Sequence, residues 1–149
     1  MRSRTWAAIA VSLVALLWAG LGHLSTRPAD FHDYRTMTVR AAQSAYGAVG
    51  TARLTGDALA AGKVTRAYAE AGFADAREAL SAAAAGFAGE GPPDDRARKL
   101  RDQLAPLLRD AAAALDRLEA ARDPAAWTAA AAAAQPVADG LRAFVEEHA

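Results

Sequence analysis

Alanine constrains this chain more than any other residue: it fills 44 of 149 positions, more than half of a hydrophobic complement of 53%. A core assembled largely from methyl groups cannot bridge wide gaps, so the elements that share it must approach closely. No segment alternates Val, Ile, Thr and aromatic residues with a period of two, as a strand would. Helical spacing recurs four times instead, and the chain reads as all-α.

The first helix is predicted over residues 33–61, with Asp33 as N-cap and Val39, Ala42, Tyr46, Val49 and Ala52 along one face. Gly47, Gly50 and Gly56 interrupt it. Each costs up to about 1 kcal/mol relative to alanine, which predicts close packing against neighbours at those positions. After a turn at Gly62 and Lys63, the second helix is expected over 64–88, its seam formed by Ala69, Phe73, Ala76, Leu80, Ala83 and Phe87. The stretch GEGPPDD, residues 89–95, stops that helix with glycines and restarts the chain with Pro93 and the acidic pair Asp94 and Asp95.

The third helix is expected over 94–121, burying Leu100, Leu104, Leu107, Ala111, Leu115 and Leu118, with a bend at Pro106. Asp94 with Arg98 and Asp95 with Lys99 form acid-first pairs four residues apart. Asp123 and Pro124 then cap and open a fourth helix over 124–147, whose inner face carries Trp127, Ala130, Ala134, Val137, Leu141, Phe144 and His148, with a kink at Pro136. Four such helices with short loops predict an up-down-up-down four-helix bundle roughly 40 Å long, preceded by an N-terminal transmembrane helix.

That N-terminal expectation rests on residues 5–24, twenty positions without a formal charge, preceded by Arg2 and Arg4. A helix of this length spans about 30 Å, the thickness of a bilayer's hydrocarbon core. Trp6 and Trp18 lie toward its two ends, and the arginines favour a cytoplasmic N-terminus. A cleaved signal peptide would begin in the same way, but Gly20-Leu21-Gly22 is a poor match to the Ala-x-Ala exit pattern, so retention as a single-pass anchor is expected. The predicted organisation is a cytoplasmic tail (1–4), an anchor or signal peptide (5–24), a juxtamembrane linker (25–32) and an extracytoplasmic bundle (33–149). A four-residue tail is too short to fold, so an inward signal would require a protein partner in the envelope. Small residues four apart, Ala8 with Ser12 and Ala15 with Ala19, leave room for a homo-oligomer.

The 17 basic and 17 acidic residues cancel and are scattered, which argues against a nucleic-acid partner. Without cysteine there are no disulfides, thiolate metal sites or Cys nucleophiles. The histidines, His23, His32 and His148, have no ligand-like partner at helical spacing, and Glu146, Glu147 and His148 read as a solvated helix end. Met37 and His148 fall at one end of the bundle and resemble the axial pair of the cytochrome b562 type of haem bundle. An alanine seam leaves little room for a haem, and Met37 reads as core filler. No catalytic, cofactor or metal residue is assigned, and an enzyme is not expected. Arg35, Arg40, Arg53, Arg66 and Arg77 could interleave with Tyr34, Tyr46 and Tyr68 as a groove for an anion, although single charges that keep the bundle soluble explain them more simply.

The start MRSRTWAAIAVSLVALLWAG, the stretch DYRTMTVRAAQSAYGAVGTARLTG and the later GPPDDRARKLRDQLAPLLRDA together resemble small membrane-anchored or secreted all-α proteins of high-GC Gram-positive (actinobacterial) bacteria. The resemblance implies a cell-envelope setting and no particular chemistry. The expected role is a non-enzymatic interaction or accessory module, the alternative being a sensor-like bundle that binds a small ligand between its helices.

Overall fold

A computed structural model describes residues 30–149. The anchor expected over 5–24 lies outside them, and no helix among the described residues is long and apolar enough to cross a membrane. The described chain forms four α-helices and no strand: α1 (Phe31–Ala60), α2 (Arg66–Gly89), α3 (Asp95–Ala120) and α4 (Pro124–His148).

Each helix starts on a side chain that accepts a backbone N–H three residues on. Asp30 accepts from Asp33, Thr65 from Tyr68, Asp94 from Ala97 and Asp123 from Ala126. Every first turn thereby satisfies one of its orphan donors. The first cap is Asp30 rather than Asp33, because the Asp30 carbonyl already accepts from Tyr34 and carries the helix farther toward the N-terminus. Thr65 was not identified in the sequence. The turn between α1 and α2 uses Gly62 at φ 66°, a left-handed conformation that glycine adopts without a Cβ clash. Pro106 and Pro136 both lie inside continuous helices.

The helices pack up-down, each beside its sequence neighbour, with α4 returning against α1. The cross-section is a rhombus. The backbones of α1 and α3 also approach across the short diagonal, whereas those of α2 and α4 stay apart. Alanine makes the short diagonal possible: Ala42, Ala45 and Ala52 of α1 and Ala111 of α3 are fully buried, as are Val49, Leu104, Leu115 and Leu118. At Gly56 of α1 an added Cβ would stand 2.8 Å from Leu118 Cδ2, and at Gly140 of α4 it would stand 3.0 Å from Leu107 Cδ2. Close packing therefore accounts for Gly56 as expected, but Gly47 and Gly50 face open space.

Several inner-face expectations shift by one residue. Leu108 is buried and Leu107 only half-buried, because α3 packs against both α1 and α4 and Leu107 turns toward Gly140. Ala131 and Ala138 are buried on α4, while Ala130, Val137 and His148 are half-buried, as is Ala83 on α2. Tyr46 points outward, 41% exposed. The pairs at the start of α3 also differ: Arg96 binds Asp94 and Arg98 binds Asp95, leaving Lys99 out.

Candidate binding cleft at the distal end

The bundle has a proximal end, where α1 begins, and a distal end, where α1 turns into α2 and α3 into α4. At the distal end a cleft of about 360 Å³ opens between α2, the end of α3 and the start of α4. That volume falls in the lower range of small-molecule sites. Its floor is apolar, made by Leu59 of α1, Ala69 and Phe73 of α2 and Trp127 of α4, all buried. Its rim carries Arg66, Glu70, Arg77, Glu119 and Arg122.

The stripe Arg66, Glu70, Phe73, Arg77 steps along α2 by four, three and four residues, so a single helix face supplies both floor and rim. Arg77 reaches across to α3. Its Nε and Nη2 donate to the two carboxylate oxygens of Glu119 at 2.9 and 2.8 Å, and Nη2 also donates to Asp116 Oδ1 at 2.6 Å. These bonds, Glu119's first, hold the guanidinium pKa above its ordinary value. The fork fixes the side chain where the interhelical contact is thinnest. With 46% of the side chain exposed, its contribution is more positional than energetic.

Arg122 lies just beyond the end of α3, where its Nη1 donates to the Glu119 and Ala121 carbonyls at 2.6 and 3.1 Å. It places a cation on the negative end of that helix. Its Nε and Nη2 make no hydrogen bond among the described residues. Arg66 donates Nε to Glu70 Oε1 at 3.0 Å, and its guanidinium carbon stands 5.9 Å from the Trp127 ring centroid, at the outer limit of a cation–π contact. The cleft thus joins a flat apolar floor to guanidinium groups with donors to spare. Such a pairing suits an apolar group that carries a carboxylate or a comparable anion.

The anion groove considered from sequence does not form. Arg66 and Arg77 line the distal cleft, whereas Arg35 and Arg40 line a separate 220 Å³ cleft at the proximal end with Gln43 and His148. Arg53 is engaged elsewhere: its Nε donates to the Ala131 carbonyl of α4 at 3.1 Å, next to the Ala132 carbonyl that Pro136 leaves without a helical donor. Tyr34 is buried, 1% exposed, with no partner for its hydroxyl among the described residues, and burial raises its pKa. Tyr68 is exposed.

His148 is not a solvated helix end. Its side chain is 16% exposed, its ring meets Phe144 edge-on at 4.5 Å, and Nε2 has no hydrogen-bond partner among the described residues, standing 3.9 Å from Glu147 Oε2. Met37 belongs to clefts shared with Tyr34 and with Phe87, so it and His148 are not brought to one site.

Sequence reading missed Glu70, Glu119, Arg122 and Trp127 as site residues. The four-three-four spacing of the Arg66–Arg77 stripe was a usable signal. Nothing local in the sequence marked its meeting with Trp127, which depends on how α4 docks. Comparison of the chain with family models, with curated proteins and with solved structures gives no match.

Proposed function

We propose that this protein is a non-enzymatic interaction or accessory module of the cell envelope, held at the membrane by residues 5–24 with its bundle outside the cytoplasm, and that the distal cleft engages its partner. If the leader is cut, the same module is secreted. The observation that carries this reading is the cleft's pairing of a Trp127–Phe73 floor with the Arg66 and Arg122 guanidinium groups. Arg77 is already engaged by Glu119 and Asp116 and braces the cleft wall, which leaves Arg66 and Arg122 to meet an anion. An acidic segment of a protein partner carrying an apolar side chain fits this site.

A second reading, a sensor-like bundle with a small amphipathic anion in the same cleft, is favoured by the cleft's volume. One experiment separates the two. A photoactivatable side chain replaces Ala74, on the cleft, or Ala143, on the exposed face of α4, in the full-length protein in native membranes. The expected result is capture of a protein in stoichiometric amount from Ala74 but not from Ala143, weakened at least about tenfold by Arg122→Glu. Equal capture from both positions would discard the cleft. No capture, combined with a melting temperature raised by 4-phenylbutyrate and unmoved by its amide, would establish the small-ligand reading instead.

A further inference from the structure

The outward face of α1 holds a second seam, independent of the cleft. Arg40, Gln43, Gly47, Gly50, Leu54 and Asp57 follow one another at steps of three, four, three, four and three residues. That is the spacing with which one helix meets another. All six are exposed except Gly50, which is half-buried. A Cβ added at Gly47 or Gly50 would meet nothing within 4 Å, and Leu54 is 72% exposed, the most exposed large hydrophobic residue among those described. Neither Arg40 nor Asp57 makes an ion pair among the described residues. Two glycines in the middle of a helix carry a helix-propensity cost that nothing packed within the bundle explains.

We propose that this seam is a pairing surface for a second copy of the chain, with the two α1 helices antiparallel and crossing at Gly47 and Gly50. The order of residues selects both partner and direction. A two-fold axis between positions 48 and 49 sets Gly47 opposite the partner's Gly50, Gln43 opposite the partner's Leu54 and Arg40 opposite the partner's Asp57, each contact occurring twice. The glycines let the backbones approach, and opposite charges close both ends. A parallel, in-register pair would instead place Arg40 against Arg40 and Asp57 against Asp57, which is repulsive. The seam is only about 26 Å long at 1.5 Å per residue, so the pair is a transient one that gains from concentration at a membrane. The antiparallel arrangement sets the two α1 N-termini about 50 Å apart. Two copies anchored in one membrane therefore pair with their bundles lying along its surface.

The chain contains no cysteine, so single introduced cysteines report the pairing directly. Full-length Gln43→Cys and Leu54→Cys proteins are reconstituted in vesicles separately and together, then oxidised. The expected result is disulfide-linked dimer in the mixture at a level at least about tenfold above either protein alone. Gly50→Arg in both partners should remove it while the thermal unfolding transition is kept, since the position faces open space. Arg40→Asp should weaken it about fivefold, and the double exchange Arg40→Asp with Asp57→Arg should restore it. The exchange keeps the test decisive should Gly50→Arg perturb folding. Cross-linking of each single-cysteine protein with itself as strongly as in the mixture, or no cross-linking in any sample, would overturn the proposal.

Discussion

The two faces of α1 use the same residue types to opposite ends. On the inner face Gly56 lies under Leu118, where a Cβ would intrude to 2.8 Å, and on the outer face Gly47 and Gly50 have nothing within reach. Leu118 of α3, packed on the inner face, is fully buried, while Leu54 on the outer face is 72% exposed. Glycine and leucine, on α1 or packed against it, thus have no fixed energetic meaning. Whether a neighbour fills the missing methyl, or surrounds the side chain, decides the sign.

The largest expected effect separates the two leucines. Leu118→Ala leaves a cavity between α1 and α3 and should cost about 2–5 kcal/mol in a denaturant titration, whereas Leu54→Ala should stay within about 0.5 kcal/mol. Similar values for the two would mean that the short diagonal is not the centre of the core. Next come the glycines. Gly56→Ala gains helix propensity of up to about 1 kcal/mol but overpacks Leu118 by about 1–3 kcal/mol, for an expected net loss. Gly47→Ala makes the same propensity gain without a clash and should raise the melting temperature. A Gly56→Ala protein as stable as Gly47→Ala would show that α1 and α3 are farther apart than described.

The smallest effects come with pH. Asp94 has a pKa below the ordinary 3.8 because its carboxylate accepts the Ala97 N–H and, less strongly, pairs with Arg96. It is more readily ionised in the folded protein, so its contribution is complete above pH 3.8 and is lost as pH falls through the lower folded value. Tyr34 has the opposite sign. Burial lifts its pKa above 10.0, so the unfolded chain ionises first and stability declines as pH rises beyond that value. Melting curves across pH should show shallow losses at both extremes. Asp94→Asn should flatten the acid arm and Tyr34→Phe the alkaline one.

How much of this was legible in the sequence depended on how far each signal reached along the chain. Asp123 followed by Pro124 is complete within two residues and was located, as was the break at 89–95. Phe73, Leu80 and Phe87 fell on the buried face of α2 because only one stripe of that helix is apolar and large. Tyr46 was misplaced, since in an alanine-rich helix a tyrosine looks like an anchor whichever way it points. The cleft was not legible because its floor joins residues 59, 73 and 127 from three different helices, a meeting that no local spacing encodes. Arg77 read as a free surface charge because Asp116 and Glu119 lie 39 and 42 residues away.

One property of α1 reaches beyond packing. It is unbroken for 30 residues, about 45 Å, from Phe31 beside the N-terminal segment to Ala60 beside the cleft, and Leu59, in its last turn, forms part of the cleft floor. Occupancy at the distal end therefore need not travel through a relay of side chains to be felt at the other. A single rod joins the two places, and a shift or roll imposed on its far end is delivered as motion of Phe31 and the first turn.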